Sequence, residues 1–305
     1  MYRLLFLLLL SARLWAQAPT VASGTVKRLT NFPSRYVQPR TVDVWLPAGY
    51  DAQTRYAVLY MHDGQMLFDS TTNWNRQEWG IDETVGRLMA TQLIRPCIVV
   101  GIWNTGATRH ADYFPQKPFE SLSKQQQDSI YGATRGGKQP LFAAPIQSDK
   151  YLKFLVQELK PYIDRHFATQ PDRASTFVAG SSMGGLISMY AICEYPTVFG
   201  GAACLSTHWP GLFSVENNPV PTAFLRYMDT HLPDPKTHVL YFDYGTKTLD
   251  SLYAPFQQQA DVLLKQHGYT TANWLTKAFP GDAHTETAWR NRLAIPIQFL
   301  LAAKQ

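Results

Sequence analysis

The sequence predicts an α/β protein with a mostly parallel central sheet and helices on both of its faces. Three observations carry this reading. Short apolar runs alternate with segments of helical spacing along nearly the whole chain, the arrangement that strand–helix–strand crossovers produce. A glycine-rich stretch, VAGSSMGGL at 178–186, sits where one such run gives way to a helical segment. The first two strand-like runs, Thr25–Asn31 and Arg40–Leu46, follow one another with no helical segment between them and read as an edge hairpin.

The elements follow in order. Arg40–Leu46 alternates apolar and polar residues, the period of a half-buried strand. Tyr56–Met61 and Cys97–Trp103 are short unbroken apolar runs, as expected of strands buried on both faces. Ile81–Leu93 places Ile81, Val85, Leu88 and Met89 on one helical face, and Tyr151–His166 repeats the pattern with Leu152, Leu155, Leu159 and Ile163. Further strands are expected at Ser175–Val178, Ala202–Ser206, His238–Phe242 and Asn273–Ala278, and further helices at Leu186–Cys193, Pro221–His231, Pro255–His267 and Glu286–Ala303. The segment 104–147 breaks the rhythm and is rich in Gln, Ser, Gly and Pro. A loop of that length inside a compact domain is usually functional, so it reads as an elaboration over the site.

The ends and the composition narrow the function classes. Arg3, the apolar block Leu4–Leu10 and Ala16-Gln17-Ala18 have the form of a secretory signal peptide. The block is too short to span a bilayer, which takes about 20 apolar residues. The expectation is a signal peptide over 1–18 and one domain over 19–305, periplasmic or secreted. Loss of Arg3 and Arg13 with the leader lowers the formal charge from +5 to +3. Basic residues are scattered among acids, which argues against a nucleic-acid groove. Cys97, Cys193 and Cys204 contain no CxxC pair, so they read as buried free thiols, with a Cys193–Cys204 bridge as the open alternative.

The glycine junction carries the chemistry. Gly180-Ser181-Ser182-Met183-Gly184 fits G-x-S-x-G with Ser182 at the centre, a turn that exposes a serine hydroxyl between a strand and a helix. Residues two before and two after that serine approach each other, so glycine is expected at 180 and 184. A phosphate loop would continue as G-K-[ST], whereas Leu186 follows the glycines. Ser182 is the candidate nucleophile, Ser181 a neighbour facing away, and the Met183 amide a donor to an oxyanion.

Such a serine needs a base and an acid, met in the order Ser, Asp or Glu, His. His284, in FPGDAHTETAW between the last strand and the last helix, is placed to be the base, whereas His267 ends a helix. Asp250, in the loop beyond Gly245, is the preferred acid, with Asp243 at the strand end as the alternative. Asp282 stands too close to His284 in sequence to orient its ring. The second oxyanion amide is expected from Gln65 in MHDGQMLFD, where Gly64 lets the backbone turn. His62 and Asp63 lack a third ligand at suitable spacing, so no metal is expected there, and no cofactor is required.

Four stretches, YMHDGQMLFD, GSSMGGLISMYA, YFDYGT and AHTETAWRNRL, together resemble the putative esterase family. This is the esterase D and enterochelin-esterase-like branch of the α/β-hydrolases. The resemblance runs from about Thr41 to Leu301 and departs from many relatives at Met66, where they carry Asn. It implies an α/β-hydrolase fold, Ser182 as nucleophile, His284 as base, an acid in the loop carrying Asp250, and oxyanion amides at Gln65 and Met183. Relatives cleave esters of siderophores, of acyl-decorated polysaccharides and of S-formylglutathione. Trp103, Asn104, Arg109 and Tyr113, at a strand end and its loop, and Trp209 beyond the next strand look like the substrate side. Packing of the loops, and for Arg109 a salt bridge, are the plainer alternatives. The reading is a serine hydrolase of small-molecule or polysaccharide esters. An acyltransferase on the same residues, or a binding protein on a hydrolase scaffold, stands as the alternative.

Overall fold

The structure is a computed structural model and describes residues 18–303. Nearly all of the predicted signal peptide therefore lies outside the described residues. Eight strands form one sheet: β1 Thr25–Phe32, β2 Arg40–Leu46, β3 Ala57–His62, β4 Cys97–Ile102, β5 Thr176–Ser181, β6 Gly201–Leu205, β7 Val239–Gly245 and β8 Trp274–Phe279. Their spatial order is β1-β2-β4-β3-β5-β6-β7-β8. β2 runs antiparallel to both β1 and β4, and all other pairs are parallel. The edge hairpin and the parallel remainder are as the sequence predicted.

Alternation along a strand explains why unbroken apolar runs form the centre. On β3, Val58 and Tyr60 join one hydrophobic cluster while Ala57, Leu59 and Met61 join another. On β5, Val178 faces the first cluster and Phe177 and Ala179 the second. Successive side chains point to opposite faces, so only a strand apolar at every position can be covered on both. Ile81, Val85 and Leu88 of helix α1 (Ile81–Ala90) cover one face together with the C-terminal helices. The helical segment 148–166, α2, covers the other with α3 (Met183–Glu194), α4 (Val220–His231) and α5 (Ala254–Gln266). α2 widens into a π-helical turn over Phe154–Leu159, just before Pro161, whose ring opposes the carbonyl four residues back and supplies no N–H.

Two expectations are corrected. The single C-terminal helix expected over Glu286–Ala303 is two, α6 (Glu286–Arg292) and α7 (Ala294–Leu301), parted at Leu293. Pro296 would press on the Arg292 carbonyl in a continuous helix. Segment 104–147 is a packed insertion rather than a long loop. It holds short helices at Arg109–Tyr113, Gln116–Glu120 and Lys124–Tyr131 and a small ladder between 134–135 and 139–140. Phe114, Phe119, Tyr131 and Phe142 meet edge to face, and Phe114 reaches Phe224 of α4. These helices are too short to display a helical period. The three cysteines are free and buried, so Cys193 and Cys204 are not bridged. Among the described residues no helix is long and apolar enough to cross a membrane.

The N-terminal strap ahead of β1 is held by two carboxylates. Thr20 N donates to Asp69 Oδ2 at 3.1 Å, and Ala22 N and Ser23 N donate to Asp82 Oδ2 at 2.7 and 3.3 Å. Burial, then a hydrogen bond and charge from Glu83, push the Asp82 carboxyl up to about 7. A folded-state value above the unfolded one means that the native protein holds a proton that unfolding releases. Stability from this group is therefore present below the ordinary carboxylate range and is lost as the pH rises toward 7. Asp82→Asn keeps an acceptor for the strap, and is expected to flatten the fall in unfolding free energy between pH 4.5 and 7.5. Urea titrations of both proteins at the two pH values measure it.

Candidate active site

Ser182 stands between β5 and α3 with φ 57° and ψ −122°, a conformation that L side chains rarely adopt and that marks functional turns. The turn is held from three sides. Ser182 N donates to Leu205 O at 2.9 Å, and Ser182 O accepts from Leu186 N and His208 N, each at 3.1 Å. A Cβ on Gly180 would lie 2.7 Å from the Gly184 backbone, whereas one on Gly184 would meet His62 Cβ only at 3.4 Å. The close approach therefore requires glycine at 180, and the expectation of an equal demand at 184 is corrected. A Cβ on Gly185 would lie 3.1 Å from Leu205 O and from Thr207 Oγ1, so glycine there lets α3 pack closely against β6. Ser182 precedes α3 directly, so the Met183 amide lies in the first turn, where N–H groups have no acceptor within the helix.

The loops after β7 and β8 are stitched together. Thr246 N and Lys247 N donate to Asp282 O at 3.0 and 2.9 Å, and His284 N donates to Thr248 Oγ1 at 2.9 Å. A Cβ on Gly245 would fall 2.3 Å from Asp282 O, so the two loops can approach this closely only with glycine at 245. This brings His284 Nδ1 to 2.5 Å from Asp250 Oδ1. The other oxygen, Oδ2, accepts from Ser206 Oγ at 2.6 Å and Gly245 N at 2.5 Å. Burial, the largest influence, works to raise the Asp250 carboxyl, but the bond and charge of His284, then Ser206 and Gly245, hold it below the usual range. It is an anion facing an imidazole.

Asp243 has other partners. It accepts from Arg292 Nη2 at 2.8 Å, Tyr241 Oη at 2.9 Å and Ser206 N at 3.1 Å. Burial outweighs these and lifts its carboxyl to about 6. Of the two candidate acids, the structure brings Asp250 to His284 and leaves Asp243 with Arg292. Ser206 joins them, because its oxygen also accepts from Trp289 Nε1 at 2.9 Å and Arg292 Nη2 at 2.8 Å. Sequence reasoning missed Ser206, Trp289 and Arg292. A signal existed for Arg292, which falls on the same helical face as Ala288 and Trp289, where a charge must be paired if buried.

A cleft of about 860 Å³ opens over these residues and is bordered by Gln65, Ser182, Met183, His208, His284 and Trp289. Its size suits a small-molecule site. Gln65 lies in the one-turn helix Gly64–Met66 after β3, and the carboxylate of Asp63 braces that turn. Arg109 grips Asp63 with two bonds of 2.8 and 2.7 Å, and Asn104 Nδ2 donates to it at 2.7 Å. Burial works to raise the Asp63 carboxyl, but the charge and bonds of Arg109, with Asn104, lower it overall. Asn104 and Arg109 border the cleft, with Arg109 serving the ion pair to Asp63.

Three of the expected substrate contacts are not in the cleft lining. Trp103 donates from Nε1 to Asp43 Oδ2 at 2.9 Å and lies under the Arg28 guanidinium. Tyr113 is fully buried against His62 and Tyr151. Trp209 is fully buried, stacked on Phe242 and bonded to Gln257. Each is a packing residue. The aromatic groups that do border the cleft include Trp74, 85% exposed, and Phe213, with Arg135 over its ring.

A profile of the putative esterase family matches residues 34–295. The chain belongs to that family. Its architecture is that of the α/β-hydrolases. An endo-1,4-beta-xylanase/feruloyl esterase of Xylanibacter ruminicola is 26% identical over 290 residues, which cover 92% of this chain and 32% of that protein. This member therefore spans about a third of that relative's length. Among solved structures, a ferulic acid esterase of Anaeromyces mucronatus superposes with a TM-score of 0.59 at 19% identity, over 92% of this chain and 90% of the other. An IroE-like serine hydrolase of Shewanella oneidensis gives 0.65 at 19% identity, over 90% and 79%.

Gly180→Ala is expected to lower the unfolding free energy by about 1–3 kcal/mol, because backbone cannot give way as a side chain can. Gly184→Ala should cost clearly less, and denaturant titration of the pair measures the difference.

Proposed function

We propose that this member of the putative esterase family is a carboxylic ester hydrolase working through an acyl-enzyme on Ser182. The observation that carries the reading is the 2.5 Å contact between His284 and the buried Asp250, in a cleft that also holds the strained Ser182. Ser182 Oγ attacks the ester carbonyl as His284 Nε2 takes its proton. Asp250 holds the Nδ1–H and balances the imidazolium. The amides of Met183 and Gln65 receive the charge that develops on the carbonyl oxygen. Collapse breaks the bond to the alcohol, which leaves with the proton from His284. A water then loses a proton to His284 and attacks the acyl carbon. As the second tetrahedral intermediate collapses, the bond to Ser182 breaks, the Ser182 oxygen takes the proton back from His284, and the acid is released. No metal or cofactor enters this cycle.

The substrate class follows from the relatives and the cleft. Feruloyl and ferulic acid esterases are similar to this chain, and the exposed Trp74 and Phe213 at its cleft suit an aryl acyl group or a sugar ring. Esters of plant or microbial carbohydrates are therefore the first substrates to test, ahead of siderophore esters. The leader-like segment over 1–18 supports export of a single esterase domain, placing the reaction in a periplasm or outside the cell.

Incubation with a fluorophosphonate is expected to add one label to the wild type and none to Ser182→Ala, read by intact-mass spectrometry. Asp250→Asn is expected to lower kcat on 4-nitrophenyl acetate by about 10³–10⁴-fold with the fold retained. An unlabelled, folded wild type would contradict the assignment.

A further inference from the structure

Two separately cross-linked groups of residues wall the cleft. One joins the loop after the Gly64–Met66 turn to the start of α6. Asn75 Nδ2 donates to Glu286 Oε2 at 2.9 Å, and Thr287 N and Oγ1 donate to Gln77 Oε1 at 3.2 and 3.0 Å. His284 precedes Glu286 by two positions and belongs to this wall, which Trp74 completes. The other wall joins the segment after β6 to the insertion. There the Phe213 ring lies 5.9 Å from the His208 ring and beneath the Arg135 guanidinium.

Trp74 is 85% exposed, the most exposed large apolar side chain among the described residues. Its own loop holds it there. Trp74 and Asn75 are the central residues of a turn closed by Arg76 N on Asn73 O at 3.2 Å. The buried Asn73 pins that turn, its Nδ2 donating to Gln77 O at 2.7 Å, and Ser70 N donates to Glu78 Oε2 at 2.6 Å. An indole this exposed buries little area and adds little to folding, yet it is fixed in place beside the site. Its neighbours keep free polar atoms. The bonds between loop and helix use Gln77 Oε1 and Glu286 Oε2. They leave Gln77 Nε2 as a donor and Glu286 Oε1 as an acceptor with no hydrogen-bond partner among the described residues. A sugar ring offers C–H groups on its face to an aromatic platform, and hydroxyls at its rim that both donate and accept.

We propose that the wall made by Trp74, Gln77 and Glu286 is the subsite for the alcohol half of the ester and selects an alcohol that carries a sugar ring. This rests on Ser182 being the nucleophile and His284 its base. His284 gives its proton to the departing alcohol, so the alcohol must lie on the His284 side of the ester. The ring then rests on the indole with hydroxyls toward Gln77 Nε2 and Glu286 Oε1, and the acyl half faces the wall of Phe213. The platform is rigid, so stacking is made equally before and during the reaction and shows in KM.

The test compares the methyl and 6-O-glucose esters of acetic and of ferulic acid, so that each pair differs only in its alcohol. The wild type should prefer the sugar ester. Trp74→Ala should cut that preference, taken as the ratio of the two kcat/KM values, by about five- to tenfold, the worth of one stacked ring. The loss should fall on KM rather than kcat, and Trp74→Phe should keep part of the preference. Phe213→Ala should slow both members of a pair alike. A Trp74→Ala ratio equal to that of the wild type would overturn this inference. So would a wild type that labels at Ser182 yet cleaves no sugar ester faster than its methyl counterpart, and the esterase reading would still stand. A wild type that does not label would overturn the nucleophile assignment and this inference with it.

Discussion

Charge buried at the carboxyl edge of the sheet is the constraint on which the rest of this structure depends. Asp243 and Asp250 are fully buried, and Arg292 is the cation shared between them, bonded to the first and 3.9 Å from the second. Arg292 also reaches the half-exposed Asp282 at 3.1 Å. Isolated buried charges are strongly disfavoured, and removing one member of such a set leaves the others uncompensated. With Arg292 committed to Asp243 and Asp282, the Asp250 carboxylate leans on neutral donors, Ser206 and Gly245. The attractive positive partner left to it is His284 once that ring takes a proton. The fold thus stores an incomplete ion pair next to Ser182.

This constraint also explains how the architecture is spent. α6 presents Trp289 and Arg292 to Ser206, and the break at Leu293 lets α7 turn back against β6 and β7 with apolar residues only. The stitching of the last two loops through the Asp282 carbonyl makes Asp250 and His284 one mechanical piece. Ser182 and the Met183 amide belong to another, the β5–α3 junction, and the two pieces meet beyond β6 at Ser206, Thr207 and His208.

Much of this was legible in the chain. The order Ser182, Asp250, His284 and the strand preceding each could be read because parallel strands deliver their loops to one edge. The two-sided burial of β3, β4 and β5 shows as unbroken apolar runs. Direction was not legible beyond the strand ends. His208 and Trp209 are neighbours, yet one borders the cleft and the other is sealed against Phe242, because the chain turns there, Trp209 N bonding Thr207 O and Gly211 N bonding His208 O. Trp103 and Tyr113 went the same way, each claimed by a polar partner far away in sequence, Asp43 and Asp63. Ser206 carries no local mark at all, since a serine after a strand resembles any loop residue.

The insertion 104–147 has an origin in the fold unlike that of Asp250, His284 and Ser182. It is consolidated by its own aromatic cluster and anchored to the body by a buried Arg40–Asp112 bridge and by Phe114 on Phe224. Yet it sends Asn104, Arg109, Arg135 and Leu141 to the cleft wall. The wall can therefore drift through substitutions that leave the β5–β8 edge untouched. The face presented to a ligand is thus built on a separately anchored cassette, so its shape can change while the sheet edge that carries Ser182, Asp250 and His284 keeps its geometry.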